Sequence, residues 1–426
     1  MILLFTVMVK AQELIPITKS EVLTKVLANN TSIKISQEEF NQAKGDFRQT
    51  NAVFLPNITA SHSGIATTNP LMAFGSKLNQ EILTQNDFNP VLLNNPSQIE
   101  NFATKLEIQQ PLINLDGVYQ RKAAKSKMEA MSLKSERIQD FLRLEVDKAY
   151  MQLQLAYKAV DVLEKALEAA NANKKLADNS FNQGIIQRAD VLNVEVRGTE
   201  VQNQLQMAMS NVYNASNYLA FLMNDETDVV YSPTEELVIS TFTLVDMTLS
   251  ENRSDIKAME LASNAYEAMS KADKMAFLPR LNAFGSYEMY DDQIFQGDAN
   301  GYLFGAQLSW DIFKGSKRIG KAQKSNAEFQ KSKLEYHNYV SKSNLELQKA
   351  KRDLLDAESK LKLTTLALQQ SEEALRIRTN RFKEGLEKTS DLLLAESQYA
   401  QKQLEYYQTI FELNYIQAYL QFLTKD

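Results

Sequence analysis

Few residues in this chain have side chains suited to catalysis or metal binding. The sequence contains no cysteine and two histidines, His62 and His337, which lie far apart. Zinc and iron enzymes usually need more nitrogen and sulfur ligands than this, and the sequence has no phosphate-binding loop or nucleophile elbow. The composition therefore predicts a protein that is not an enzyme and holds no metal ion or cofactor. Its net charge of −6 gives no reason to expect a nucleic-acid partner.

One motif with functional potential occurs twice. A phenylalanine, a glycine and an aspartate recur at the same spacing, as Phe181, Gly184 and Asp190 and again as Phe382, Gly385 and Asp391. Glycine permits a tight turn and the close approach of a partner backbone, but it also ends helices, with a phenylalanine packed beside it. Each aspartate is also placed to favour the positive N-terminus of a following helix. The surrounding elements must decide between a binding role and a structural one.

The motifs belong to an internal duplication. A Phe-Leu-Pro triplet at 54–56 is repeated at 277–279, and the surrounding residues match as well. The first copy is longer because it contains residues 66–100, whose three prolines and many polar residues predict a long loop. The duplication predicts a first repeat over 12–225, an equatorial connector over 226–250 and a second repeat over 251–426.

Very long helices are predicted in both repeats. All eight prolines lie outside 112–232 and 280–426, and proline is the residue that most strongly breaks helix interiors. Apolar residues recur there every three or four positions, with Lys, Glu, Gln and Asn between them, which predicts antiparallel coiled coils. The predicted helices cover about 18–54, 117–180, 190–222, 254–277, 317–381 and 391–423.

Each repeat also contains two predicted strands. They cover about 56–66, 101–113, 279–290 and 301–313. Apolar and aromatic residues occupy one face of two of these strands, while the intervening residues are mostly polar: Leu106, Ile108, Tyr302, Phe304, Leu308 and Trp310. This alternation fits a transmembrane strand whose apolar face meets lipid. By pattern alone it fits a soluble sandwich with one wet face equally well.

The start of the chain indicates export. Residues 1–11 resemble the remnant of a signal peptide, with short side chains at Val9 and Ala11 that suit cleavage after Ala11. No later apolar run is long enough to predict a transmembrane helix. If the four strands do cross a membrane, they cannot close a barrel alone, since small barrels need about eight strands and open edges are not tolerated in lipid. Three chains would supply twelve strands.

The two copies together resemble the TolC family of outer-membrane efflux proteins. The resemblance rests on the Phe-Leu-Pro triplets, on residues 110–113 and 310–315 after the second strands, and on the repeated glycine–aspartate motifs. It covers nearly the whole chain. It implies a mixed α/β membrane protein, a homotrimer in the outer membrane of a Gram-negative bacterium. Four antiparallel strands from each chain would form a shared 12-stranded barrel in outer-membrane lipid, and the long helices would form a periplasmic tunnel.

The resemblance further implies a passive exit duct of a tripartite efflux or type I secretion system. The implied partners are a periplasmic membrane-fusion adaptor and an inner-membrane pump of the resistance-nodulation-division or ABC type. The alternative is a periplasmic coiled-coil scaffold or adaptor protein. That alternative explains the helices, but it explains neither the signal-like start nor the strands placed alike in both copies.

The resemblance also implies that three acidic residues line the pore near the periplasmic entrance: Asp391, Asp190 and Glu387. Three copies of Asp391 around a threefold axis would repel anions and attract cations. The sequence departs from the family pattern at two positions. Leu394 stands where a second acidic residue is expected, and Glu387 stands where a basic residue is expected.

We expect the implied adaptor to dock at the two tips where the long helices turn, because glycine there allows a partner backbone to approach closely. The residues concerned are Phe181, Gly184, Phe382 and Gly385. Helix capping by the glycines and local packing by the phenylalanines remain alternatives.

Overall fold

The computed structural model describes residues 14–227, 229–240 and 247–425. The predicted signal-peptide remnant over 1–11 lies outside these residues, as does part of the predicted connector. The chain divides into two compact units. The first comprises residues 1–39, 132–257 and 337–426, and the second comprises residues 40–131 and 258–336. Both repeats therefore contribute to each unit.

The described elements follow the duplicated order. The first repeat and the connector contain β1 (Leu14–Ile17), α1 (Lys19–Asn29), α2 (Thr31–Gln49), β2 (Asn57–Thr67), α3 (Pro70–Asn79), α4 (Pro90–Asn94), β3 (Ile99–Ile113), α5 (Leu115–Asn182), α6 (Arg188–Met223) and β4 (Val230–Pro233). The second repeat contains α7 (Ser254–Met275), β5 (Arg280–Asp291), β6 (Ala299–Ser309), α8 (Lys317–Lys383) and α9 (Thr389–Thr424). At about 1.5 Å per residue, α5 and α8, with 68 and 67 residues, are each about 100 Å long.

The prediction of one helix over 18–54 is wrong, because the helix is interrupted at Asn30. The backbone there has φ −59° and ψ 130°, outside the helical region. The buried Asn30 side chain donates to Leu222 O at 2.8 Å and accepts from the Ser32 N–H at 2.8 Å. These bonds compensate for the lost helical ones. The second helix, α2, is followed by a 3-10 turn over Thr50–Val53.

Two other predictions differ from the structure. Residues 66–100 are not a plain loop, because they contain α3 and α4. The strand predicted over 301–313 ends at Ser309. Trp310 therefore lies beyond the apolar face of the strand, and its indole N–H donates to Phe277 O at 2.9 Å.

A four-stranded antiparallel sheet lies in the second unit, in the order β2-β3-β5-β6. Leu106 pairs with Tyr287, which pairs in turn with Tyr302, so these three residues share one face. The next row on that face contains Ile108, Gly285 and Phe304. Because strand side chains alternate between faces, the register gives one apolar and aromatic face, as the sequence predicts.

The opposite face of the sheet carries a group of ion pairs. The Lys105 ammonium lies 3.1 Å from a Glu107 carboxylate oxygen and 3.3 Å from one of Glu288. Gly305 is also on this face, where a Cβ atom would lie 2.8 Å from the Phe284 ring. The two faces therefore differ sharply in polarity.

In the first unit, each pair of long helices has an apolar core. Leu163 of α5 packs with Leu205 and Ala208 of α6. Leu347 and Leu354 of α8 pack with residues of α9 that include Leu413, Ile416 and Leu420. Within the described parts of the chain, no helix combines the length and apolar character needed to cross a membrane.

A buried charged cluster ties four helices of the first unit together. Arg253, 2% exposed, binds Asp255 of α7 through two hydrogen bonds of 2.6 and 3.0 Å and donates to Leu423 O of α9 at 3.1 Å. Arg137 of α5 lies 3.4 Å from the same carboxylate, and the Tyr339 hydroxyl of α8 donates to it at 2.6 Å. Burial opposes ionisation of Asp255, but these donors and charges lower its pKa.

Arg253→Met should destabilise the first unit strongly. The substitution removes the two hydrogen bonds to Asp255 and the one to Leu423 O and leaves Arg137 as the remaining cation beside that carboxylate. Loss of one partner from a buried charge network costs about 3 kcal/mol. The measurement is thermal unfolding of the detergent-extracted protein by circular dichroism. Arg143→Met, at an exposed position of α5, is the matched control and should unfold like the wild type. Equal melting of both variants would show that the cluster contributes no net stability.

Candidate functional site

The two motif glycines end α5 and α8 in the same backbone conformation. Gly184 has φ +74° and Gly385 has φ +73°, in the left-handed region that favours glycine. In the first turn Ile185 N donates to Ser180 O at 2.9 Å, and in the second Leu386 N donates to Arg381 O at 2.9 Å. These bonds, together with those donated by the glycine N–H groups, form a Schellman motif. Helix capping by glycine is therefore confirmed at both tips.

An exposed apolar side chain follows each of these glycines. Ile185 and Leu386 are each 67% exposed, whereas Phe181 is 39% exposed and Phe382 is half-buried. Sequence reasoning chose the phenylalanines and missed Ile185 and Leu386. The duplication offered a signal, since both residues occupy the same position in turns that are otherwise mostly polar.

The two motif aspartates have different partners. Asp190 accepts from the Gln187 N–H at 3.1 Å, so it caps α6. Asp391 lies in the first turn of α9, where a negative charge is favourable. Its carboxylate lies 3.8 Å from the Arg378 guanidinium. The capping role is therefore confirmed for Asp190, and Asp391 takes part in an ion-pair cluster.

Glu387 is at the centre of that cluster. Arg378 donates to one of its carboxylate oxygens at 2.9 Å, and Arg381 donates to the other at 3.0 Å. Arg381 also donates to Leu386 O at 3.2 Å. The family pattern expects a basic residue at the position of Glu387. In this chain the acidic Glu387 lies in the turn and pairs with two arginines on α8 of the same chain. Two positive and two negative side chains compensate one another at this tip.

The first tip replaces these ion pairs with apolar contacts. The positions that correspond to Arg378 and Glu387 are Ala177 and Ile186. Ala177 is 1% exposed and packs with Val191 and Val194, and Ile186 packs against this cluster. The two tips therefore share a backbone geometry but not a chemistry.

Second-repeat helix α9 packs on the first tip. Leu393 lies against the apolar cluster around Ala177, and Asn173 of α5 donates to the Glu396 carboxylate. Burial raises the pKa of Glu396, while the Asn173 hydrogen bond and the Arg197 charge oppose that rise. Leu394, the position of the missing second acid, is 55% exposed.

Farther from the tips, α5 and α9 meet through cations and aromatic rings. Lys148 lies 5.8 Å from the centroid of the Tyr415 ring, and Lys158 lies 5.7 Å from that of Tyr407. Arg137 lies 3.6 Å from the centroid of the Phe422 ring. These cation–π contacts connect the two repeats along antiparallel helices. Among the described residues, no group of three or more His, Cys, Asp or Glu side chains is arranged to hold a metal ion.

The chain is similar to known outer-membrane proteins. A family model described as outer membrane efflux protein matches residues 22–225 and 246–422. The outer membrane channel CmeC of Campylobacter jejuni is 18% identical with a TM-score of 0.82, over 95% of this chain and 85% of that one.

Two further solved structures give the same result. The outer membrane protein VceC of Vibrio cholerae is 17% identical with a TM-score of 0.80, over 94% of this chain and 95% of that one. The outer membrane channel MtrE of Neisseria gonorrhoeae, in its open state, is 17% identical with a TM-score of 0.74, over 94% and 88%. At these identities the likeness shows a shared fold. No curated protein matches the chain.

Gly385→Val should loosen the second tip while Gly385→Asn should not. A Cβ at this position meets no atom within 4 Å, so the strain of the left-handed backbone is the dominant cost, about 1–2 kcal/mol. Asparagine tolerates that conformation better than valine does. Hydrogen–deuterium exchange of peptides from 380–390 should be about tenfold faster in the valine variant alone, with the native mass unchanged. Equal protection in both variants would contradict the backbone argument.

Proposed function

This chain belongs to the outer membrane efflux protein family, and we propose that three copies of it form the passive exit duct of a tripartite efflux or type I secretion system. The family match covers both repeats, and the fold is that of outer membrane channels. The family match decides against the alternative of a periplasmic coiled-coil scaffold. The proteins it resembles are channels and not enzymes, so we propose transport without catalysis.

The observation that carries this proposal is the incomplete sheet. β2 and β6 are its outer strands, and within the described residues each has one edge that pairs with no strand. Such an edge cannot remain open in lipid, and four strands are too few to close on themselves. β2 and β6 run in opposite directions, so β6 of one copy can pair with β2 of the next. Three copies then give twelve antiparallel strands.

The faces of the sheet agree with this arrangement. Tyr302 and Phe304 are 78% exposed and Leu308 is 67% exposed in the single chain, and Leu106 and Ile108 are 44% and 41% exposed. We assign this face to lipid. The opposite face, with its Lys105 ion pairs, would line a water-filled lumen.

Within the described residues, α6 and α8 of the first unit also lack a partner on one face. On α6 five exposed large apolar residues form this face, Leu192, Val196, Met207, Tyr218 and Phe221, and exposed Tyr213 lies about 60° to one side of it; on the first-unit part of α8 the residues are Leu345, Leu355, Leu363, Leu366 and Ile377. At about 100° per residue, each set falls within about 80° around its helix, opposite the side packed in its own core. We propose that the α6 stripe of one copy packs on the α8 stripe of the next.

The remaining partners are assigned to the tips. We propose that a periplasmic adaptor docks on the turns after Gly184 and Gly385, where Ile185 and Leu386 offer exposed apolar side chains. An inner-membrane pump would supply the energy, since a duct has no energy source of its own.

A trimer of about 145 kDa, three times the 48.3 kDa chain, should be extracted from outer membranes by detergent. Leu355→Lys with Leu363→Lys places two charges in the α8 stripe and should shift the native mass towards the monomer, because unpaired charges are costly in an apolar interface. Asn344→Lys with Gln369→Lys adds the same charges at exposed positions outside the stripe and should leave the trimer intact. A trimer that survives the leucine substitutions would rule out the α6–α8 interface.

Asp391 is proposed to attract cations at the periplasmic entrance, with Arg378 as its internal counter-charge. Asp391→Asn should reduce the cation-to-anion permeability ratio by about half, and Arg378→Gln should raise it by exposing two carboxylates. The measurement is the reversal potential in a salt gradient across a planar bilayer. Asp190→Asn, at the capping aspartate, is the control. Unchanged selectivity in both tip variants would restrict Asp391 to a structural role.

A further inference from the structure

The connection between β2 and β3, residues 68–98, folds into a compact structure. Asn69 caps α3 by accepting from Met72 N at 3.2 Å, and the Lys77 ammonium lies 2.7 Å from an Asp87 carboxylate oxygen. The Phe74 and Phe88 rings meet edge to face at 5.7 Å. The ion pair with Lys77 and the hydrogen bonds of Thr84 lower the pKa of Asp87 to about 2. The connection therefore has a defined surface.

Contacts with the sheet show on which of its two faces α3 lies. Gln80, directly after the helix, donates to Asn101 Oδ1 at 2.9 Å and to Glu100 O at 2.8 Å. Asn101 lies two residues from Ala103 and four from Lys105 along β3, so the three side chains share the charged face. α3 is thus anchored on the face that would line the lumen.

The opposite side of α3 is apolar and has no partner in the described residues. Ala73, Ser76 and Gln80 are 1%, 5% and 6% exposed, and all three point to the anchored side. Leu71 and Leu78, seven residues apart, are 81% and 56% exposed on the other side. Gly75 lies between them, and a Cβ atom added there would meet nothing within 4 Å.

The charge of the connection permits several copies to approach one another. Its charged residues are Lys77, Glu81 and Asp87, and the lysine and the aspartate form an ion pair with each other. Other exposed apolar residues add to the surface: Met72, Ile82, Phe88, Val91 and Leu92. An apolar surface of this kind on a soluble loop normally marks an interface.

The size of the duct brings these surfaces together. Twelve strands about 4.8 Å apart and tilted by about 40° close into a cylinder with a radius of about 12 Å. A helix with its side chains is about 10 Å across, so a helix held against the inner wall reaches nearly to the axis. Three such helices, related by threefold symmetry and held at the end of the sheet, would therefore lie close enough to contact one another near the axis.

We propose that the three copies of α3 pack through Leu71, Gly75 and Leu78 across the threefold axis and close the outer mouth of the duct with an apolar plug. The apolar side of each α3 helix is thus covered by a second copy of this chain. The inference rests on the proposed trimer. It adds a constriction at the end of the sheet where α3 lies, and cargo must displace it on its way out.

Disulfide cross-linking tests this contact directly, because the chain contains no cysteine. Leu78→Cys should form a dimer band on a non-reducing gel after mild oxidation, with one free thiol left in each trimer, because a homotypic contact at a threefold axis can join only two of three chains. Ile294→Cys is the control, since it is also exposed (58%) but lies in the β5–β6 turn. It should remain monomeric on the gel.

Channel recordings test the plug independently. Leu71→Asp with Leu78→Asp should raise the single-channel conductance at least about twofold, because three acidic pairs repel one another and admit water. Ile294→Asp should leave it unchanged. An intact trimer with no Leu78→Cys dimer and an unchanged conductance would overturn the plug and leave the duct in place. A monomer in detergent would instead overturn the duct itself.

Discussion

A backbone hydrogen-bonding group left unpaired in a lipid bilayer costs several kcal/mol, and this constraint governs the whole molecule. The sheet has an apolar face suited to lipid, yet its two outer strands, β2 and β6, each have an open edge among the described residues. One chain cannot resolve that conflict. In the first unit, α6 and α8 each have an apolar stripe that no other described residue of the chain covers. The fold is therefore that of one part of an assembly.

The contacts within one chain fall into two chemical kinds. Within each repeat, the long helices pack through leucine, isoleucine, valine and alanine. Between the repeats, Leu393 of α9 adds an apolar contact at the first tip, but α5 otherwise meets α9 through cation–π contacts such as Lys148 on Tyr415 and through the half-buried Asn173–Glu396 hydrogen bond. Apolar packing is non-directional and tolerates small shifts, whereas ring and hydrogen-bond contacts require a particular register. The joint between the repeats is thus the more specific of the two.

Most of the fold could be predicted because its signals are local. Proline-free stretches and apolar periodicity indicated the long helices, and strict alternation indicated the strands. The break at Asn30 could not be predicted, since it depends on a hydrogen bond to Leu222, 192 positions away. At the tips, the glycine turns and the Asp190 cap followed from residue types. The Arg378–Glu387–Arg381 cluster did not, because the turn must fold before its charges meet.

The two tips also preserve a history of divergence. After a gene duplicates, each copy can change wherever a substitution does not destabilise the fold. Most other residues would strain the left-handed backbone, and both copies retain glycine there with nearly the same φ, +74° and +73°. The neighbouring side chains differ between the copies, since Ala177 and Ile186 in one correspond to Arg378 and Glu387 in the other. The same glycine turn thus serves in two chemically different ends, one held by packing and the other by charge.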